Sequence, residues 1–228
     1  MKTIRFNILL LLLFGWLNGM FAEENVAVVI KLEGEVRISP ANSIKSEAVK
    51  KGRILQHGDK LETGAGGYCA IKFLDDKSLL RIKEKSSCII EGKRKGNAIE
   101  KNIFTEFGTF FFSLFKQKEQ FDVTTPTSVA SVKGTKFWVV QLSQSGVSRF
   151  VCTEGAIEIK NKAGKVLARR GQTATVESRS RAPQVRLTRE GDIPSDDDSN
   201  GILQELDFGF TNGAGQEKVL RIQLKKQD

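Results

Sequence analysis

The chain has 228 residues and a formal net charge of +9, from 36 Lys and Arg against 27 Asp and Glu, with 39% apolar and 28% charged residues. These values exclude collagen-like, disulfide-dense and wholly disordered classes, and they allow one large or two small domains. A single histidine, His57, leaves little material for a histidine-based catalytic or zinc site.

Residues 1–22 read as an address and not as fold. Lys2 and Arg5 form a short basic region, and Ile8 to Phe14 is an unbroken apolar run extended by Trp16 and Leu17. The apolar stretch, roughly ten residues, is too short for an ordinary transmembrane helix. Asn18, Gly19 and Ala22 end it, and Glu23-Glu24 follow. This is a secretory signal peptide pattern with cleavage expected after Ala22. Removing Lys2 and Arg5 lowers the formal charge of +9 by two. Export places the protein in the periplasm or at the cell surface.

From Val26 to Val176 the pattern is that of short strands. Val26 to Leu32 is apolar and β-branched, and Glu35 to Ile38 alternates until Ser39-Pro40. Lys45 to Lys51 has the composition of a helical turn. Tyr68 to Leu74 alternates, Asp75 to Ser78 is a turn, and Leu79 to Ile82 resumes. Cys88 to Ile90 is a further strand, followed by a polar stretch from Glu91 to Asn97. Phe137–Leu142, Ser148–Cys152, Ala156–Ile159, Lys165–Ala168 and Thr173–Val176 complete the series. Turn residues punctuate these runs, and no window carries a helical apolar stripe. The fold class is therefore all-β: many short antiparallel strands in a two-layer sandwich or a solenoid-like arrangement.

Seven phenylalanines cluster at positions 104, 107, 110, 111, 112, 115 and 121. They suit the core between two sheets, or else a ligand groove. In a strand, Phe110, Phe111 and Phe112 cannot all face the same way. Cys69, Cys88 and Cys152 lie in alternating apolar segments and read as buried thiols, with Cys69–Cys88 the pairing favoured if a disulfide forms. The basic runs Lys93-Arg94-Lys95, Arg169-Arg170 and Lys225-Lys226 are short and lack interleaved aromatics, so no nucleic-acid partner is expected. Weak attraction to anionic envelope polymers is their alternative role.

Three segments in order carry a family pattern. The first is Leu55 to Gly64, with Gly58-Asp59 and Thr63-Gly64. The second is Phe121 to Phe137, containing Phe121-Asp122-Val123-Thr124-Thr125-Pro126 and Val132-Lys133-Gly134-Thr135. The third is Val151 to Ile159, with Glu154-Gly155, closed by Gly171-Gln172. Each motif has a structural reading: turns at Gly58-Asp59, Gly64 and Glu154-Gly155, a strand end at Pro126, and a bulge or close crossing at Gly134. Together, over residues 26–178, they resemble the FecR domain family of bacterial envelope proteins. Lys133 stands where that family usually has arginine, which keeps the charge and loses the guanidinium fork. The resemblance implies an all-β extracytoplasmic module for interaction or sensing. The cytoplasmic segment and membrane helix of the family's transmembrane regulators have no counterpart here, so control of a sigma factor by a segment of this chain is not expected.

Residues 179–228 form the third part of the expected organisation, after the leader 1–22 and the β domain 23–178: a polar linker, then a strand at Leu220–Leu224. Within it, Asp196, Asp198, Asn200 and Asp207 match the spacing of an oxygen-ligand calcium loop, with Gly201 at the turn and the Ile202 carbonyl available. A solvated acidic linker explains the same residues. No other cofactor is indicated. The expected function is a non-catalytic interaction or sensing module for an envelope protein or polysaccharide. A structural scaffold of the envelope is one alternative. Another is a hydrolase of envelope polymers built on a pair among Glu33, Glu35, Asp59 and Asp75, whose spacing singles out no pair.

Overall fold

A computed structural model describes residues 24–41, 43, 45–195, 204–211 and 217–224, the last two stretches as backbone only. The leader 1–22 and the calcium candidates Asp196, Asp198 and Asn200 lie outside the described residues. The chain divides into two units, Met1–Ile193 and Pro194–Asp228.

In the first unit the chain shuttles between two layers. Strand β1 (Asn25–Glu33) lies in the first layer, β2 (Val36–Ser39) and β3 (Glu47–Ala48) in the second. Next come β4 (Ile54–Gln56) in the first and β5 (Asp59–Thr63) in the second. The hairpin β6 (Tyr68–Phe73) and β7 (Leu79–Ile82) returns to the first. β8 (Ser86–Lys95) lies in the second, and β9 (Ala98–Ser113) belongs to both. β10 (Phe121–Thr124) and β11 (Val129–Val132) are in the second, β12 (Lys136–Gln141) and β13 (Ser148–Glu154) in the first. β14 (Ala156–Asn161) and β15 (Gly164–Arg169) are in the second, β16 (Gln172–Val176) and β17 (Gln184–Leu187) in the first.

Side by side, the first layer runs β4-β1-β6-β7-β9-β12-β13-β16-β17. The second runs β3-β2-β5-β8-β9-β10-β11-β14-β15. Every pairing in these layers is antiparallel except β9 with β10, which is parallel. The sheet is not closed. The expected all-β class holds, and the sandwich and solenoid descriptions both apply, because successive passes stack along one direction.

Alternation builds the core. Even-numbered Phe110 and Phe112 are fully buried, while Phe111 between them faces out against Trp138 at 4.8 Å. Phe121 of the second layer meets Phe73 and Phe112 of the first, with centroids 5.4 and 6.2 Å away. Each such ring contributes roughly 1.5–3 kcal/mol by leaving water. Earlier in β9 the inward residues are odd-numbered: Ile99, Lys101, Ile103 and Thr105. The phase reverses at a bulge, where the β8 register shifts between Ser87 and Cys88. Gly108 follows at φ 112°, and a Cβ there would lie 2.1 Å from Ser86 Oγ. Only glycine lets the strand bend past β8 into the other layer.

Three expectations change. Lys45–Lys51 forms no helical turn: Glu47 and Ala48 pair with Ile38 and Arg37 in extended backbone. The polar stretch from Glu91 continues β8 to Lys95. Within the stretch expected as linker, β17 pairs with β16, and a 3-10 turn at Glu190–Asp192 follows. The second unit holds an antiparallel hairpin, β18 (Gln204–Thr211) and β19 (Glu217–Leu224). Leu220–Leu224 falls within β19, and Asp207 of the calcium set lies in β18 opposite Arg221.

Candidate binding groove

The groove begins with a charge inside the core. Lys101 occupies an inward position of β9 and is 1% exposed. Its ammonium donates to Asp75 Oδ2 at 2.8 Å, Asp76 Oδ2 at 3.1 Å and Gln117 Oε1 at 3.2 Å. The Phe73 and Phe121 rings lie 5.5 and 5.7 Å from it, close enough for cation–π attraction. Burial pushes the Asp76 carboxyl up, but the Ser78 amide and the Lys101 ammonium outweigh it and hold the group below its ordinary value. A buried cation needs this company, since desolvation alone would be costly.

This cluster pins the segment between β9 and β10. The Gln117 side chain donates to Ser78 Oγ at 3.1 Å and to the Phe115 carbonyl at 2.7 Å. The Phe115 amide also donates to Ser78 Oγ, at 3.0 Å. Main-chain bonds tie Leu114 N–H to Thr135 O, Gln117 N–H to Lys133 O, and Lys101 N–H to Gln120 O. The segment is held at both ends and in the middle, which reduces the ordering cost of any ligand it meets.

Its neighbour is the turn Lys133-Gly134-Thr135. Gly134 has φ 145°, and a Cβ on it would lie 3.3 Å from Lys116 Cα. On its other side, a Cβ on Gly155 would lie 2.8 Å from the Gly134 carbonyl. Thr135 Oγ1 donates to the Ala156 carbonyl at 3.0 Å. Two motif segments, far apart in sequence, thus meet through glycines, which explains their presence in structural terms.

Between these segments and the β14–β15 hairpin lies a groove of about 970 Å³. Lys116, Lys118 and Lys133 line it, with Glu119, Glu158 and Leu167. Glu158 faces Lys165 at 3.8 Å, whereas the three groove lysines form no ion pair among the described residues. Gln120 is shared with a smaller polar pocket of about 180 Å³ beside His57, Glu91, Asn102 and Asp122. There Asn102 donates to Glu91 at 2.7 Å, Thr124 to Asn102 at 2.7 Å and Ser131 to Asp122 at 2.7 Å. The arrangement offers cations, hydrogen-bond groups and one exposed apolar side chain along an open channel.

The singled-out residues fall as follows. His57 Nδ1 accepts from the Gly92 amide at 3.2 Å. Asp59 is buried and accepts the Gln56 amide at 2.8 Å, the turn role its motif suggests. Glu33 pairs with Lys31 at 2.8 Å, Glu35 faces Arg37 at 4.0 Å, and Asp75 serves Lys101. Those carboxylates are engaged by different partners. Glu154 is exposed and paired with Lys136 at 2.7 Å. The three cysteines are buried free thiols. Burial pushes Cys69 up to about 12 and Cys152 up to about 11, and raises Cys88 as well. Of the basic runs, Lys93 to Lys95 is the exposed end of β8, where Arg94 meets Glu24 at 3.2 Å and Lys95 pairs with Glu100. Phe115 is 62% exposed beside the groove, unlike the buried core rings. Sequence reading missed Lys116, Lys118 and Leu167. The available signal was Lys-Gln-Lys after the phenylalanine run, with half-buried Gln117 between two exposed lysines.

The fold and groove define a two-layer β-domain with an open surface channel beside the pinned segment. Residues 59–158 match the family described as FecR protein. That family is regulatory and non-enzymatic. Two crystal structures, at 2.50 and 1.65 Å resolution, of a protein described as an anti-sigma factor from Parabacteroides distasonis are similar in structure. They share 12% and 13% identity with TM-scores of 0.49 and 0.47, covering 56% of this chain and 59% of theirs. The similarity therefore spans less than two thirds of that protein's length. Comparison with curated proteins gives no match.

Proposed function

We propose that this protein is an exported, non-catalytic sensing module that binds an envelope protein or polysaccharide in the groove beside residues 114–120. The leader pattern at 1–22 supports export to the periplasm or cell surface. The observation that carries the reading is the groove itself: about 970 Å³, walled by a pinned segment and the Lys133-Gly134-Thr135 turn, with three unpaired lysines among the described residues. The family's regulatory, non-enzymatic character agrees with it.

The test is capture of a partner from solubilised envelope by the full chain, tagged at its C-terminus, with and without calcium. A chain carrying Lys116→Glu, Lys118→Glu and Lys133→Glu is run beside it. These side chains lie on the surface, so the variant's melting should match the parent's. Loss of a specific partner in the triple variant supports the groove. Unchanged capture by the triple variant removes it. Capture that requires calcium assigns a role to the Asp196 loop.

A further inference from the structure

The edge of the second layer beside the groove has a property the groove reading does not use. β15 spans 6 residues, against 2, 3 and 4 for the other layer-ending strands, β3, β4 and β17. On its inner side it pairs with β14 from Asn161↔Gly164 to Ala156↔Arg169. Asn161 and Gly164 close a tight hairpin turn, so the pairs that exchange both hydrogen bonds are Asn161↔Gly164, Ile159↔Val166 and Ile157↔Ala168. The backbone groups of Lys165, Leu167 and Arg169 consequently point away from β14. The Arg169 amide confirms this direction by donating to Gln172 Oε1 at 2.8 Å. Among the described residues, the N–H and C=O groups of Lys165 and Leu167 have no partner.

The side chains of the same three residues share the solvent face, and all are exposed. They form a row of cation, apolar residue, cation, with Leu167 at 42% exposure and lining the groove. A strand added along this edge would gain main-chain bonds from Lys165 and Leu167, and its alternate side chains would lie opposite that row. A second copy of this chain fits poorly. Antiparallel pairing of two β15 edges about Leu167 sets Lys165 opposite Arg169, and like charges directly opposite are destabilising. Lysine and arginine that discourage self-pairing favour a strand with acids at the matching positions.

We infer that β15 accepts an extended peptide as an additional antiparallel strand, and that the peptide carries the pattern acid-x-apolar-x-acid. The apolar residue sits opposite Leu167 and the acids opposite Lys165 and Arg169. The groove lysines Lys116, Lys118 and Lys133 then receive acidic residues that flank the pattern. This rests on the groove being the binding site, and it chooses a peptide over a polysaccharide as the occupant.

The experiment measures fluorescence anisotropy of a labelled peptide containing Glu-Thr-Leu-Thr-Glu against the full chain. Three further reagents complete it: the charge-reversed peptide Lys-Thr-Leu-Thr-Lys, the first peptide N-methylated at its leucine, and the variant Lys165→Glu with Arg169→Glu. The expected result is binding of the acidic peptide, weakened tenfold or more by the double variant and by N-methylation. The double variant should bind the basic peptide in its place, a swap that a misfolded variant cannot produce. Equal binding of the N-methylated peptide, or no swap, overturns the inference. If the groove lysine variant loses its envelope partner while these peptides do not bind, the strand inference falls and the groove reading stands. If partner capture ignores both sets of substitutions, both fall.

Discussion

Replacing Lys101 by methionine isolates the buried charge cluster. The two side chains have similar length, so packing against Phe73 and Phe121 is largely kept and the charge is lost. Lys101 and Asp75 have side chains 1% and 6% exposed, and Asp76 is 15% exposed. Asp75 Oδ1 is already buried with no hydrogen-bond partner. Removing one partner from such a cluster costs about 3–5 kcal/mol, because the remaining charge stays desolvated. For a domain of this size, with about 2–4 °C per kcal/mol, the melting temperature should fall by about 6–20 °C.

The effect has a definite pH dependence. In the parent, the Asp76 carboxyl lies below its ordinary value. Its contribution is present above the unfolded value, about 3.9, and is lost as pH falls through the folded one. In Lys101→Met the lowering influence of the ammonium is lost while burial remains, so the folded Asp76 value rises relative to the parent's. The gap to the parent therefore narrows as pH falls from neutrality toward about 4 and below, through that raised value. Calorimetric melting across that range reads both curves. A variant that also carries Asp75→Asn and Asp76→Asn should recover most of the loss at neutral pH. A Lys101→Met melting point close to the parent's at neutral pH, or a gap that does not narrow in acid, would refute the reasoning.

Gly108→Ala forces a Cβ to within 2.1 Å of Ser86 Oγ at φ 112°, and should destabilise by about 3 kcal/mol or more, read by urea unfolding. Unchanged stability would mean that the bend of β9 does not depend on glycine. Asp192 accepts from Arg186 Nη2 at 2.6 Å and from the Arg189 amide at 2.8 Å, and the Arg186 guanidinium holds its carboxyl far below the ordinary range. Its contribution is lost only as pH falls through that depressed value, so β17 amides should stay protected from hydrogen exchange at about pH 3, while Asp192→Asn should expose them at neutral pH. Equal exchange in both proteins would remove Asp192 as the anchor of β17. The buried thiols Cys69, Cys88 and Cys152 should resist alkylation at about pH 8 in the native chain, and all three should react in denaturant. Rapid native labelling would contradict their burial.

The strands were legible where alternation and turn chemistry agreed. Leu79–Ile82 has the same bounds in sequence and structure, and Tyr68–Phe73 and Thr173–Val176 differ by a residue. The long β9 was not legible, for two reasons. Lys101 places a charge where the pattern calls for an apolar residue, and its partners Asp75, Asp76 and Gln117 are remote in sequence. The bulge near Gly108 then reverses the phase, so odd-numbered and even-numbered inward residues never join into one pattern. Lys45–Lys51 looked helical by composition, but β2 supplied pairing for Glu47 and Ala48. At the groove, the motif residues Lys133, Gly134, Thr135 and Gly155 were visible in sequence with turn or crossing roles. Lys116, Lys118 and Leu167 were not, because only folding brings the segment after β9 beside the β14–β15 hairpin. Their common address is spatial, and no spacing in the chain encodes it.

The two layers are joined by more than packing. β9 is one covalent strand whose first part is hydrogen-bonded to β8 and β10 and whose last part is bonded to β7 and β12. A shear that slides one sheet over the other must either stretch this backbone or strip it from four neighbours at once. The domain should therefore transmit a pull as a single member, like a beam with a continuous rod through both flanges. A load applied at β15 passes along the second layer to β9 and through its bend to the first, instead of being absorbed by slip between the sheets.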